Sequence, residues 1–378
     1  MIGAAPTMSD SEVHGTVAHG FEAVRDEFAA VAQDAQLAVH LHGRRVVDLW
    51  TGDVAGDSLT GVYSSTKGAT ALVVAVLVQD GVLELDLPVA HYWPRFAAAG
   101  KGRITLRDVL THRSGLIGGL SADELADDRE TARRLADRRP YWRPGTAYGY
   151  GGFVTFAIVG EVVRLATGRS LQEHYEERIR APYGLDLYLG LPEALEERYL
   201  DVLPGSASPA ELTAFLATLP SPYSIVGMGY GFGLDQVAFL NTRRVRALGQ
   251  ASAGGVGNAR GLAAMYAAAT FGPLLGPETL GEFTTLHSTG RDLVTGTGQY
   301  ALGFQAKGLR YPFLGADAFG HNGSAGSEAF ADPLSGIAFG YVRRRFSVDW
   351  SYPEHDRLVA AVHRAAVGAV DDNGKVYP

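Results

Sequence analysis

Apolar residues recur along this chain with three different spacings, and each spacing predicts a different kind of element. Two β-type runs within residues 37–50 meet at His42-Gly43, which predicts a hairpin. The run from Ala69 to Val78 is almost entirely apolar, which predicts a helix buried on all sides. In residues 11–33 the spacing is three or four, which predicts one amphipathic helix with an apolar face made of Val13, Val17, Phe21, Val24, Phe28 and Val31.

The rest of the pattern divides the chain into a helical middle and a C-terminal part that contains strands. Between residues 82 and 220 the predicted helices are 105–112, 123–138, 153–166, 170–179 and 209–219. Beyond Pro220 the pattern predicts a Gly/aromatic loop at 227–233, a helix that reaches about Thr270, strands at 299–307, 327–331 and 336–343, and a helix at 355–367. Strands at both ends predict one α/β domain, residues 1–81 and 221–378, with a mainly helical domain, residues 82–220, inserted into it.

The composition is that of an ordinary soluble globular protein and argues against several classes of partner. Of the 378 residues 46% are hydrophobic and 20% charged, and the net charge of −8 disfavours nucleic acids and anionic membrane surfaces as partners. The chain has no cysteine, which excludes thiolate catalysis and cysteine-bound zinc. Residues 1–13 show no signal peptide, and the apolar run at 69–78 is shorter than the roughly 20 residues that span a bilayer. We therefore expect a cytoplasmic location.

Ser64 and Lys67 stand at the start of the predicted buried helix. Ser64 occupies the expected N-cap position, and Lys67 lies one turn further on the same face. Only four of the 33 basic residues are lysines, and a lysine that enters a buried helix is costly unless it is partnered or neutral. The spacing Ser-x-x-Lys matches a nucleophile with its base, whereas the simpler interpretation is a capping serine and a lysine that extends to solvent.

Two further clusters carry candidate chemistry. Residues 142–153 place Tyr148 and Tyr150 among glycines after a Pro-Gly turn, where a tyrosine can act as a general acid or base, although most such tyrosines only pack. Residues 320–327 put small residues just before a predicted strand, where the backbone can approach a ligand and donate an N–H to an oxyanion, although a plain turn has the same composition. His40 and His42 share a strand face without a third ligand, which favours a structural role over a metal site.

The order of these clusters resembles the serine β-lactamase and penicillin-binding-protein superfamily, in particular the class C β-lactamase-like esterases known as family VIII carboxylesterases. Residues 104–116, 144–146, 252–257 and 320–333 are typical of that branch. The resemblance implies a β-lactamase/transpeptidase-like fold of the α+β class, in which an antiparallel sheet is flanked by helices. No Gly-x-Ser-x-Gly elbow was found, which disfavours an α/β-hydrolase.

The same resemblance implies a role for each candidate residue. Ser64 would be the acylated nucleophile, Lys67 its activating partner, and Tyr150 the tyrosine of the family's Tyr-x-Asn element, with Tyr148 as the alternative. His321, Asn322 and Gly323 would form the Lys/His-x-Gly element on a strand that lines the cleft. The backbone N–H groups of Ser64 and Ser324 would form the oxyanion hole.

Two departures from the family pattern bear on the substrate. Gly152 replaces the asparagine that binds an acyl-amide side chain, and His321 replaces the lysine that supplies a fixed positive charge. Both changes favour a simple ester over a β-lactam, so we expect a serine hydrolase that cleaves small carboxylic esters without metal or other cofactor. The alternatives are an acyltransferase or amide synthase that uses the same acyl-enzyme, a β-lactamase or D-alanyl peptidase, and a non-catalytic binding protein.

Overall fold

One large antiparallel sheet organises the computed structural model, which describes residues 12–347 and 351–368. Its seven strands pair in the order β1-β3-β2-β10-β9-β8-β7, and a small second sheet has the order β4-β6-β5. Every strand of the large sheet lies outside residues 82–220, so both ends of the chain build it. The strands are β1 (Val13–Val17), β2 (Ala35–Leu41), β3 (Arg44–Thr51), β4 (Thr60–Gly61), β5 (Leu187–Tyr188), β6 (Val256–Gly257), β7 (Gln305–Ala306), β8 (Phe319–Asn322), β9 (Glu328–Asp332) and β10 (Ile337–Arg343).

Helices flank this sheet and are the main regular elements of the middle of the chain. In the first half they are α1 (Glu22–Val31), α2 (Thr66–Gln79), α3 (Val89–Tyr92), α4 (Leu106–Leu110), α5 (Ala122–Ala126), α6 (Asp128–Ala136), α7 (Thr155–Thr167), α8 (Leu171–Tyr175) and α9 (Ala181–Tyr183). In the second half they are α10 (Pro209–Thr218), α11 (Ile225–Tyr230), α12 (Gln236–Leu240), α13 (Arg243–Leu248), α14 (Ala259–Thr270), α15 (Pro277–Thr284), α16 (Lys307–Arg310) and α17 (Pro353–Gly368). The division into two domains at residues 82 and 220 remains a prediction.

The two faces of the large sheet are covered by different helices. Side chains alternate across a strand, so Leu37 and Val39 of β2 face one layer and Ala38 faces the other. The first layer contains Phe28 of α1 and Leu358 of α17. The second layer is the larger core, which contains α14 and all of the buried apolar side chains of α2. Helix α2 is buried along its first twelve residues, as its almost unbroken apolar pattern predicts.

The structure corrects three of the local predictions. Residues 11–33 do not form one helix, because Val13–Val17 is a strand and the helix begins at Glu22. A spacing of four also places two residues on the same face of a strand, so the apolar pattern could not separate the two elements. The expected hairpin is confirmed, since β2 and β3 pair antiparallel.

The other two corrections lie in the C-terminal part of the chain. Of residues 299–307 only Gln305–Ala306 is a strand, because the buried segment before it folds back so that Ala301 N–H bonds to Phe304 O at 2.9 Å. The expected Gly/aromatic loop at 227–233 begins inside a short helix, α11, which Ser224 caps through the N–H of Gly227. Within residues 12–347 and 351–368, no helix has both the length and the apolar character needed to cross a bilayer. The prediction about a signal peptide falls largely on residues 1–11, outside the described ones.

Candidate active site

Ser64 lies in a 3₁₀ turn, Tyr63–Ser65, that leads directly into α2. The expectation that Ser64 caps this helix is wrong, because Ser65 precedes the first helical residue and neither residue makes a side-chain cap bond. The Ser64 hydroxyl is used elsewhere, as described below. Tyr63 has a φ of +49°, a left-handed conformation that is costly for a non-glycine residue and is often found at functional sites.

Two buried hydroxyls tie this turn to the edge of the large sheet. Ser65 Oγ lies 3.0 Å from His321 O, Ser327 Oγ lies 2.7 Å from Val62 O, and the two hydroxyl oxygens are 2.8 Å apart. Each hydroxyl has a single proton, so the three contacts share two donors. The nucleophile turn is thereby held against β8 and the turn that follows β8.

Two side chains converge on the hydroxyl of Ser64. Lys67 Nζ donates to Ser64 Oγ at 2.9 Å, and the phenol of Tyr150 donates to the same oxygen at 2.7 Å. Lys67 Nζ also donates to the carbonyl of Ser252 at 2.8 Å and lies 4.9 Å from the centre of the Tyr150 ring. A serine between an amine and a phenol is the geometry that an activated nucleophile requires.

Burial sets the charge of both partners of Ser64. Lys67 is fully buried, and the loss of hydration lowers its pKa well below the ordinary lysine value of 10.5. Burial raises the pKa of the Tyr150 phenol well above its ordinary value, and the hydrogen bond to Ser64 opposes this only in part. The site therefore favours a neutral amine and a neutral phenol.

The structure places the two candidate tyrosines in different environments. Tyr150 reaches Ser64, whereas the hydroxyl of Tyr148 donates to the carbonyl of Gly298 at 3.1 Å. The two tyrosines lie two residues apart in an extended loop just before α7, yet only one of them points to the nucleophile. Tyr148 packs edge-on against Tyr300, which in turn stacks on Tyr150 at 5.9 Å.

His321 lies on β8 beside the catalytic cluster, but its side chain is buried and uncharged. Its Nδ1 lies 2.7 Å from the carbonyl of Asn322, so Nδ1 carries the proton and donates. Nε2 is buried without a hydrogen-bond partner, and burial together with Lys67 lowers the pKa of this imidazole well below its ordinary value. His321 therefore supplies no positive charge for a substrate carboxylate, while Gly323 and Ser324 after it line the cavity.

A cavity of about 560 Å³ opens over Ser64. Its aromatic walls come from Tyr63, Tyr150, Phe153, Tyr230, Tyr300 and Tyr352. Both cations in its lining are paired, because Lys307 Nζ lies 2.5 Å from Glu328 Oε1 and Arg310 lies 2.8 Å from Asp356. The cavity is therefore suited to an uncharged ligand.

Gly152 lines this cavity at a position where no larger residue fits. Its φ is +27°, and a Cβ added there would lie 2.1 Å from the carbonyl oxygen of Gly229 in α11. The asparagine that the family pattern places at this position is thus excluded by the backbone of α11, and the site has no side-chain amide there.

Sequence reasoning missed part of this site. Residues 295–300 supply a wall of the cavity, and Asp292 and His112 hold the loop of Tyr150 from behind. The only signal for the wall was a Thr-Gly-Thr-Gly segment, which has the composition of an ordinary turn. His112 lies at the end of a predicted helix and within the segment 104–116 that resembles the family, but neither pattern assigns it a role.

Histidines elsewhere pack rather than cluster. The ring of His42 lies edge-on against Phe271 at 5.9 Å, in the turn between β2 and β3. Among the residues that the structure describes, no three histidine or carboxylate side chains are grouped so that they could hold a metal ion.

A serine hydroxyl between a buried amine and a phenol is the arrangement expected of an enzyme with an activated serine nucleophile. The family model described as Beta-lactamase matches residues 22–364, and the chain belongs to the Beta-lactamase family. The predicted superfamily, the fold and the enzyme class are thereby confirmed.

Individual relatives agree with this assignment. The chain is 31% identical to Esterase/beta-lactamase LipL of Mycobacterium tuberculosis, over 90% of this chain and 84% of that protein. It is similar to the structure of EstA from Arthrobacter nitroguajacolicus Rue61a, with a TM-score of 0.86 and 37% identity over 95% of this chain and 99% of that one. It is also similar to the crystal structure of a family VIII carboxylesterase, with a TM-score of 0.83 and 32% identity over 94% and 100% of the two chains.

Proposed function

We propose that this protein is a serine carboxylesterase that hydrolyses small, uncharged carboxylic esters through an acyl-enzyme on Ser64. The observation that carries the proposal is the hydroxyl of Ser64 between the buried amine of Lys67 and the phenol of Tyr150, at the base of a cavity whose cations are paired. The names of two relatives, an esterase/beta-lactamase and a family VIII carboxylesterase, support ester hydrolysis.

Acylation begins when neutral Lys67 takes the proton of Ser64. The lowered pKa of Lys67 supports this assignment, since an amine that is neutral has a lone pair available, and the raised pKa of Tyr150 disfavours a tyrosinate base. The Ser64 oxygen attacks the ester carbonyl, and the resulting oxyanion is held by the backbone N–H groups of Ser64 and Ser324. One such donor is typically worth about 3 kcal/mol to the transition state.

Collapse of the tetrahedral intermediate breaks the bond to the alcohol. Tyr150 donates its proton to the leaving alkoxide, and the protonated Lys67 restores the proton of Tyr150, so both groups return to their neutral state. Water then attacks the acyl-enzyme and gives its proton to the same pair, and the Ser64 oxygen leaves as the hydroxyl. The acid product and the free enzyme complete the cycle.

Two features of the site favour an ester over a β-lactam. Gly152 supplies no amide to bind an acyl-amide side chain, and His321 supplies no positive charge for a carboxylate. The net charge of −8 supports a small-molecule substrate over a nucleic acid or an anionic membrane surface, and the absence of cysteine supports a cytoplasmic location.

Hydrolysis of p-nitrophenyl acetate and butyrate, measured beside nitrocefin, tests this function. We expect turnover of both esters and none of nitrocefin, loss of ester turnover in Ser64→Ala, and full activity in Ser170→Ala, a matched half-buried serine that caps α8 outside the site. Intact-mass detection should find an acyl adduct on the wild type and not on Ser64→Ala. Ester turnover that survives in Ser64→Ala would refute the proposal, nitrocefin turnover would favour the β-lactamase alternative, and transfer of the acyl group to an added amine would favour the acyltransferase.

A further inference from the structure

His112 holds the loop that carries Tyr150 on both sides of that residue. The carbonyl of His112 accepts the N–H of Gly149 at 3.1 Å, and its ring atom Nδ1 accepts the N–H of Gly151 at 3.2 Å. Between them, the N–H of Tyr150 donates to Asp292 Oδ1 at 3.2 Å. Three consecutive amides of the loop are therefore bound by two residues from other segments.

The ring of His112 is held in one tautomer. Because Nδ1 accepts from the N–H of Gly151, the proton of the neutral imidazole lies on Nε2. The hydroxyl of Thr155, the first residue of α7, lies 3.1 Å from Nδ1 and donates to it. Burial lowers the pKa of His112 to about 3, so Nδ1 remains an acceptor at neutral pH.

The same ring contacts the phenol that reaches Ser64. His112 lies edge-on to Tyr150 at 5.1 Å and to Tyr300 at 4.5 Å, while the two tyrosine rings are nearly parallel. His112 also has a φ of +58°, a left-handed conformation that histidine, asparagine and aspartate tolerate better than other non-glycine residues. In this backbone conformation the carbonyl oxygen and ring atom Nδ1 of His112 both face the Tyr150 loop and accept its amide hydrogens.

We propose that His112 is a positioning residue that, together with Asp292, fixes the Tyr150 loop so that the phenol lies on the Ser64 hydroxyl. The inference rests on the proposed function, since it assigns His112 to the step in which Tyr150 protonates the leaving alkoxide. A reacting group displaced by about 1 Å can cost about 100-fold in rate, so loosening this loop reduces turnover without altering the cavity walls.

The test compares two esters with different leaving groups. p-Nitrophenolate leaves with little need for a proton, whereas the alkoxide of ethyl butyrate requires one. We expect His112→Leu to reduce kcat/KM, which reports the acylation step, by about 10- to 100-fold for ethyl butyrate and by less for p-nitrophenyl butyrate, because the two esters form the same butyryl-enzyme and differ only in the leaving group. His112→Asn keeps an acceptor near the position of Nδ1 and tolerates the left-handed backbone, and should restore most of the activity.

A second background separates positioning from a general structural role. Because His112 acts through Tyr150, His112→Leu should cause no further loss in Tyr150→Phe, which has already lost the phenol. His174→Leu is the matched control, since it removes another histidine–threonine hydrogen bond, to Thr167, outside the site and should leave activity unchanged. If His112→Leu does not fold, Thr155→Val, which removes the donor to Nδ1, should show the same leaving-group dependence to a smaller extent.

The outcomes for this inference and for the proposed function are distinct. An equal loss on both esters, or the same fractional loss in the wild-type and Tyr150→Phe backgrounds, would overturn the positioning role of His112. Turnover of either ester by the Ser64→Ala variant would instead overturn the proposed function, and this result does not depend on the behaviour of His112→Leu.

Discussion

Adding one methyl group at Gly152 is expected to destabilise the protein, whereas the same addition at Gly160 is expected to stabilise it. The Cβ of Gly152→Ala would lie 2.1 Å from the carbonyl oxygen of Gly229, which is a backbone atom and cannot rotate away. At Gly160, in the interior of α7, no atom outside the local helix lies within 4 Å of an added Cβ. The two variants therefore differ in their surroundings and not in the chemistry of the change.

The expected sizes follow from these surroundings. A contact of 2.1 Å is about 1 Å shorter than a carbon and an oxygen tolerate, so α11 or the loop of Gly152 must shift, and overpacking of this kind costs about 1–3 kcal/mol. The positive φ of Gly152 adds roughly 1 kcal/mol for a residue with a Cβ. Gly160→Ala exchanges glycine for the best helix former and should gain about 0.5–1 kcal/mol.

Urea unfolding of the two alanine variants beside the wild type, followed by circular dichroism, measures both effects. The reasoning about Gly152 fails if Gly152→Ala unfolds at the wild-type urea concentration or above it. Gly152→Asn extends the test to function, because it introduces the asparagine that the family pattern has at this position. Since this side chain is larger than alanine, the variant should be less stable than Gly152→Ala, and it should not turn over nitrocefin. A stable Gly152→Asn with nitrocefin activity would show that the backbone of α11 does not exclude the amide.

Three other predictions concern buried charge. The kcat/KM for p-nitrophenyl butyrate should rise with pH as Lys67 loses its proton, with a midpoint well below pH 10.5, because only neutral Lys67 accepts the proton of Ser64. A midpoint near pH 10.5 would contradict this prediction. Burial raises the pKa of Asp128 from 3.8 to about 7, so the wild-type protein loses stability as pH rises between these two values. In urea unfolding, Asp128→Asn should therefore be more stable than the wild type above about pH 7 and no more stable below about pH 4. Lys307→Met leaves the buried carboxylate of Glu328 without its cation and should lower the free energy of unfolding by about 3–5 kcal/mol. Adding Glu328→Gln should restore part of this loss, and an unchanged urea midpoint in Lys307→Met would refute the prediction.

The parts of the fold that the sequence predicted correctly are those whose pattern has one interpretation. An almost unbroken apolar run can only be buried, so α2 was found, and alternating runs around His42-Gly43 could only pair as a hairpin. Strand β1 was missed because residues four apart share a face in a helix and in a strand alike. Strand β8 was not apparent from its pattern, since Phe319 is the one strand former in Phe319-Gly320-His321-Asn322 and the segment is held by β9 and β7.

The catalytic cluster was predictable to the extent that its chemistry is local. Ser64 and Lys67 are one turn apart, so their contact follows from helical geometry alone. Tyr150 is 86 residues from Ser64, and only the resemblance to a family connected them. Asp292 lies outside the segments that carry the resemblance, and His112 lies inside one of them without an assigned role. Both residues act on backbone amides of the Tyr150 loop, and a backbone N–H carries no sequence signal.

The direction of proton transfer in this site depends on burial, which the spacing Ser-x-x-Lys does not encode. In water a lysine is protonated and a tyrosine is neutral near pH 7, so neither would remove the proton of Ser64. Burial disfavours the charged form of each group, which brings the amine toward the state of a base and keeps the phenol in the state of an acid. The same physical cause thus favours opposite proton-transfer roles for the two partners of one hydroxyl, and the bonds from Asp292 and His112 hold the loop that presents the phenol.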